Sequence, residues 1–176
     1  MKTKKSIKTA LERKRRLLER RPDVGKGGVT TSIRVRDGLT CDIEEGPWKL
    51  TADMHPKSGG RAEGPTPGTF GRAALGSCLA ITYMTWASYL DIPITDLEVT
   101  VEVTYDARGM YGFEEISPGY ESVHYHVRVE SPAPREEILR LIDLAERNTS
   151  YLDVFARPQP VSRSLEYVPT LEKRVS

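Results

Sequence analysis

Thr69-Phe70-Gly71-Arg72-Ala73-Ala74-Leu75-Gly76-Ser77-Cys78-Leu79-Ala80-Ile81-Thr82-Tyr83-Met84-Thr85-Trp86-Ala87-Ser88-Tyr89-Leu90 is the stretch that decides how this chain folds. Read as a helix from Thr69 or nearby to about Leu90, it places Phe70, Ala73, Ala74, Leu75, Cys78, Leu79, Ile81, Tyr83, Met84, Trp86 and Ala87 around more than one face. A helix that is apolar on most sides has to be buried on most sides, by sheet, a second helix or another subunit. Gly76, Ser77, Thr82, Thr85 and Ser88 interrupt the apolar run, and Asp91-Ile92-Pro93 stops it. These features describe a buried core helix rather than a membrane span.

On either side of this helix the hydrophobic period changes to two. Downstream, Leu97, Val99, Val101, Val103 and Tyr105 alternate with Glu98, Thr100, Glu102 and Thr104. Val123, Tyr125, Val127 and Val129 alternate with Ser122, His124, His126 and Arg128. Each run reads as a strand with one buried and one wet face. The Gly-rich connection from Ala107 to Tyr120 reads as a mobile loop. Ser131-Pro132-Ala133-Pro134 leads into a second helix, with Pro134 in its first turn and Glu136 and Glu137 at the positive end of its dipole. Ile138, Leu141, Ile142 and Ala145 are its apolar stripe, and Leu165 and Tyr167 belong to a last strand that begins near Val161. Upstream, Thr31 to Arg36 and Leu39 to Glu44 read as a hairpin around Asp37-Gly38. Trp48 to Met54 reads as a third strand and His55 to Pro67 as a Gly/Pro-rich loop. The order of strands, helix, strands, helix, strand defines an α+β domain.

Charge divides the chain. Residues 1–21 hold ten Lys/Arg against two Glu, about +8, so the net charge of +1 leaves about −7 for the remainder. This is a basic tail on an acidic body, not a uniformly basic nucleic-acid binder. The tail reads as a helix with Ile7, Ala10, Leu11, Leu17 and Leu18 near one face. Packing of that stripe on the body or on a partner subunit is preferred over nucleic-acid or anionic-membrane contact. No aromatic residue is interleaved with the charges to stack on bases. The expected organisation is a basic helical extension and linker over 1–28, one domain over 29–170 and a C-terminal tail over 171–176.

Two cysteines, Cys41 and Cys78, make no disulfide framework and contain no Cys-x-x-Cys spacing. Two free thiols fit a reducing cytoplasm, and no apolar run follows the basic N-terminus as a secretory signal requires. Cys41, on a hairpin strand, reads as a half-buried structural residue. Cys78 follows Gly76 and Ser77, which leave room around it, and a loop with Arg61 and Glu63 precedes its helix. A thiol near a helix N-terminus and a cation ionises more readily, and the thiolate is the reactive form. His124 and His126 share one strand face, about 7 Å apart, and read as part of a wet sheet face with no metal. No cofactor is indicated. Gly59-Gly60 lacks the Gly-Lys-Ser/Thr ending of a phosphate loop.

The segment Gly59-Gly60-Arg61-Ala62-Glu63-Gly64-Pro65-Thr66-Pro67, followed by Ala73-Ala74-Leu75-Gly76-Ser77-Cys78-Leu79-Ala80, resembles the OsmC/Ohr family of osmotically inducible and organic-hydroperoxide-resistance proteins. The resemblance spans roughly residues 30–168. It implies an OsmC-like fold, with antiparallel sheets wrapped around a long buried central helix, in an intertwined homodimer with two sites at the subunit interface. It further implies that a helix cysteine attacks the peroxide, an arginine stabilises its thiolate, a glutamate orients that arginine and a second cysteine resolves the sulfenic acid.

Cys78 stands at the peroxidatic position of that pattern. Arg36, in Arg36-Asp37-Gly38, stands for the activating arginine. Gly68 replaces the glutamate expected after Pro67, and Thr149 stands where the resolving cysteine is expected on the second helix. Glu63 is the substitute for the lost carboxylate. The expected function is reduction of organic hydroperoxides through Cys78 alone, with an external thiol or dithiol as reductant. The alternative is a catalytically degenerate dimer that holds a small apolar or thiol ligand.

Overall fold

Thr66 begins the central helix: its hydroxyl accepts a hydrogen bond from the Thr69 amide at 3.3 Å, and Pro67 occupies the first helical position. In the computed structural model, which describes residues 2–169, this helix runs Pro67–Tyr89 and is α2 among the four α-helices and five strands of the described residues. The others are α1 (Lys2–Arg20), β1 (Ser32–Asp37), β2 (Thr40–Glu45), β3 (Trp48–Ala52), β4 (Asp96–Tyr105), β5 (Tyr120–Glu130), α3 (Arg135–Glu146) and α4 (Ser150–Ala156). The class is α+β, as the periodicity predicts. The C-terminal tail expected at 171–176 lies outside the described residues.

β4 and β5 form one antiparallel ribbon, with Leu97 opposite Val129, Val99 opposite Val127 and Val101 opposite Tyr125. Their apolar face receives α2, and α3 and α4 pack on α2 as well. Gly76 permits the close approach, since a Cβ there would stand 3.2 Å from Val101 Cγ2. Leu75, Leu79, Tyr83 and Ala145 form the buried centre, packed by Trp86, Val99, Val127, Ile142, Leu152 and Phe155. Ala87, Ile94 and Leu141 continue it toward the end of α2. The Tyr83 hydroxyl donates to Glu146 at 2.8 Å. Burial, and then that carboxylate, push the Tyr83 phenol far above its usual value, and burial with the same carboxylate pushes Tyr125 up to about 12.

The second sheet, β1-β2-β3, is antiparallel throughout. The first hairpin turns one residue later than expected. Asp37 pairs with Thr40, so Gly38-Leu39 is the loop, and only Gly38 has positive φ (+56°). A positive φ at the first of two loop residues belongs to a II′ turn, whereas the Asp37-Gly38 reading assumed positive φ at both. A bulge between Val35 and Asp37 absorbs the shift.

Within the chain α2 is covered on most sides, by β4, α1, α3 and α4: Leu75, Leu79, Tyr83 and Ala87 are buried, and only the stripe of Ala73, Ser77 and Ile81 is exposed, Ile81 by 67%. Other expectations are corrected. No strand forms at 161–169. Leu165 is 82% exposed and Tyr167 81%, because a strand needs a neighbouring edge and none lies beside this segment. The connection from Ala107 contains a 3-10 turn, Ala107–Tyr111, with Asp106 accepting from the Arg108 amide at 2.9 Å.

α1 lies on α2. Its covered face is Ile7, Leu11 and Leu18; Ala10 and Leu17 turn outward, because the stripe drifts around a helix of 3.6 residues per turn. Lys8 pairs with Asp91, and the Arg15 guanidinium sits 5.9 Å from the Trp86 ring centre and 5.5 Å from that of Tyr89. Among the described residues, no helix is long and apolar enough to cross a membrane.

Candidate functional site

Cys78 sits on α2 as a free, partly exposed thiol. Its neighbour is the Ser150 hydroxyl, 3.5 Å from Sγ. The other hydroxyls close by in sequence are committed to backbone carbonyls: Thr82 donates to the Cys78 carbonyl at 2.7 Å and Ser77 to that of Ala74 at 3.4 Å. Thr149, expected at the site, is 3% exposed and donates to the Ala145 carbonyl at 2.9 Å. It closes the end of α3 and does not point at the thiol.

The reason is a break in the chain that hydropathy does not reveal. α3 stops at Glu146, Arg147 to Thr149 turn, and α4 starts at Ser150. The turn moves position 150, and not 149, to the cysteine. Asn148-Thr149-Ser150 is a run of helix-starting residue types, and that signal marks a new helix rather than a continuation.

A second polar group assembles on the three-stranded sheet. Arg36, in β1, forms ion pairs with Glu63 and with Asp42, the latter at 3.7 Å. Glu63 also accepts from Arg61 Nε at 2.7 Å, and Arg61 reaches Asp37 and the Thr40 hydroxyl, the latter at 3.0 Å. The structure therefore brings Arg36 and Glu63 together as an ion pair. Arg61 is the cation between them and the turn. Its hydrogen bond holds the Asp37 carboxyl below the usual range.

Beneath this group lies Asp53, missed by sequence reasoning and only 1% exposed. It accepts from the amides of Met54 (2.7 Å), Arg61 (3.1 Å) and Glu63 (3.1 Å), and from the Thr40 hydroxyl at 3.2 Å. Burial pushes its carboxyl up, but those donors outweigh burial and the net shift is downward. Asp53 thus binds the loop that carries Arg61 and Glu63 to the end of β3. Glycines make the fit possible. A Cβ at Gly60 would stand 2.0 Å from the Met54 carbonyl oxygen, and one at Gly64 2.2 Å from that of Thr51.

Gly68 occupies the first turn of α2. A Cβ there would face Arg72 Nη1 at 3.1 Å and the Tyr120 hydroxyl at 3.6 Å. Arg72 itself donates to that hydroxyl at 3.3 Å. A carboxylate at position 68 would therefore meet Arg72. Cys41 lies in the middle strand, opposite Val35 and Ala52, with its thiol 3.9 Å from the Leu39 carbonyl. His124 and His126 stand exposed on the outer face of the ribbon, opposite Glu102 and Thr100.

The model of one family, described as OsmC-like protein, matches residues 59–163. No curated protein matches the chain in sequence. Solved structures share the architecture. An OsmC-like protein from Mycoplasma pneumoniae is 18% identical over 74% of this chain and 88% of its own, with a TM-score of 0.63. An organic hydroperoxide resistance protein OsmC from Legionella pneumophila is 18% identical over 74% and 90%, at 0.56. An organic hydroperoxide resistance protein from Elizabethkingia anophelis is 15% identical over 74% and 89%, at 0.57. At such identities these likenesses speak for the fold. Matched over more than half its length, from the Gly59 loop through both core helices, this chain belongs to the OsmC-like protein family.

Proposed function

We propose that this protein acts in peroxide stress by reducing organic hydroperoxides through the single thiol of Cys78, with an external thiol as resolving partner. The observation that carries the reading is the free, partly accessible Cys78 on the central helix of an OsmC-like domain, beside a hydroxyl and not a second thiol. The names of the Legionella and Elizabethkingia relatives point to the same class of substrate. The chemistry closes without a cofactor. The Cys78 thiolate attacks the outer peroxide oxygen and the O–O bond breaks. The alkoxide takes a proton and leaves as an alcohol, and Cys78 becomes a sulfenic acid. A reductant thiol then displaces water and forms a mixed disulfide, and a second thiol releases Cys78 and carries the disulfide away. A reducing cytoplasm supplies such thiols.

The active form in this reading is an intertwined homodimer, with Arg36 of one copy serving Cys78 of the other. Three uncovered regions support it. Ile33, Val35, Trp48 and Leu50 are exposed on the three-stranded sheet, Trp48 by 69%. The Ala73-Ser77-Ile81 stripe of α2 is open, and the extended segment 161–168 is unpaired. Exposed apolar surface on this scale marks an interaction face.

The deciding experiment is titration with an organic hydroperoxide followed by intact-mass analysis, with and without a dithiol. Oxidation of Cys78, reversed by the dithiol and absent in Cys78→Ser, is expected. The replacement of the family's glutamate by Gly68 favours a second reading, a dimer that holds a small apolar or thiol ligand without turnover. A Cys78 that stays reduced under peroxide, together with a ligand retained in native mass spectrometry, would establish it instead.

A further inference from the structure

We infer that Ser150 is a catalytic residue of the Cys78 site: its hydroxyl donates to the thiolate, and it occupies the place from which a second thiol would resolve the oxidised sulfur. This rests on the reading of Cys78 as the reacting thiol. The 3.5 Å separation of Ser150 Oγ from Cys78 Sγ suits a hydrogen bond to sulfur, whose larger radius lengthens such contacts. In the neutral pair either group can donate. Once Cys78 ionises it has no proton left, and the hydroxyl is the donor. Hydrogen bonds to charged acceptors are stronger than those between neutral groups, so the contact tightens on a thiolate and holds its sulfur in place. The competing hydroxyls, Thr82 and Ser77, are turned to backbone carbonyls.

The same geometry explains how this chain differs from one with an internal disulfide. The turn between α3 and α4 brings position 150 to the cysteine and sends Thr149 inward. A serine oxygen cannot form the sulfur–sulfur bond. The sulfenic acid formed at Cys78 therefore persists beside Ser150 until an external thiol arrives.

The test uses full-length protein with Cys41→Ser, so that Cys78 is the one reactive thiol. In the first arm, iodoacetamide alkylation of Cys78 is timed at pH 7. Ser150→Ala is expected to slow it about threefold to tenfold, the net size of one hydrogen bond, and Ser150→Thr to restore most of the rate. Alkylation of Ser150→Ala at the parent rate would overturn the inference, as would equal slowing in both variants, which would mean a structural role only. In the second arm, Ser150→Cys is treated with diamide, which accepts the two hydrogens lost as two thiols become a disulfide. An intrachain disulfide between Cys78 and the introduced thiol is expected by peptide mapping, and its absence would refute the placement. Neither arm uses a peroxide. A failure of hydroperoxide turnover with both arms intact would therefore count against the proposed function and not against Ser150.

Discussion

The two sheets of this molecule are held together by opposite means. The β4–β5 ribbon lies against α2, on which α3 and α4 also pack, over a dry centre of Leu75, Leu79, Tyr83 and Ala145. The β1–β3 sheet buries little beyond Thr40, Ala52 and Asp53. Its order comes from hydrogen bonds: a buried carboxylate collects three amides and a hydroxyl, and two arginines bridge three acidic side chains above it. Burial of apolar area drives the first half and directional polar contacts shape the second. The first kind of core buries its apolar face within the chain, whereas the second leaves Ile33, Val35, Trp48 and Leu50 exposed.

The largest effect expected from this contrast is at Leu79. Leu79→Ala should cost about 3 kcal/mol in denaturant unfolding, because the side chain is fully buried and leaves a cavity. The matching truncation at Val35, which is exposed, should cost no more than about 0.5 kcal/mol within a single chain. In the proposed dimer its cost instead depends on protein concentration. A Val35→Ala variant with the parent's melting temperature at every concentration would break the argument that this face is covered.

Gly64→Ala comes next. The added methyl would stand 2.2 Å from the Thr51 carbonyl oxygen, a backbone atom that cannot step aside. A loss of about 1–3 kcal/mol is expected, with faster amide exchange in residues 59–65 and little change in the β4–β5 ribbon. Equal exchange in both sheets would show that they unfold as one unit.

Asp53 gives the comparison a pH dependence. Its folded carboxyl lies below the usual value, so its contribution is fully present above the ordinary carboxylate range and is lost as pH falls through the folded value. Asp53→Asn should therefore flatten part of the acid limb of the melting-temperature profile and lower the plateau by several degrees. An unchanged acid limb would mean that the hub does not hold the loop.

The smallest effect belongs to Gly68→Glu. The new carboxylate would sit in the first turn of α2 beside Arg72, and the contact to be relieved is with the far end of that flexible side chain. A gain of about 0.5 kcal/mol, weakened by salt, is expected in thermal unfolding. If the gain survives Arg72→Ala, the helix dipole alone accounts for it.

Much of this architecture is legible in the sequence. Alternation is a local property, so the β4 and β5 faces, the helix around Cys78 and the stripe of α3 could be read directly. The Gly59–Pro67 loop and the Ala-Ala-Leu-Gly-x-Cys helix opening pointed to the family, and Arg36 and Glu63 do meet. The last strand expected near Val161 does not form, because alternation alone supplies no neighbouring edge, and two further errors occurred where a single residue of register matters. The hairpin turn moved by one residue, and so did the neighbour of Cys78, because turns are set by backbone angles and caps that hydropathy does not encode.

By itself the sequence determined the α+β class, the buried central helix, the basic extension and the family pattern around Cys78. Each follows from residues close together in the chain. Only the tertiary structure decided that Ser150 and not Thr149 faces Cys78, that Asp53 anchors the Arg61–Glu63 loop, and that the Ala73-Ser77-Ile81 stripe of α2 stays exposed. These features join residues up to 72 positions apart. Contacts at such separation depend on how helices and sheets pack, and not on any period the chain displays.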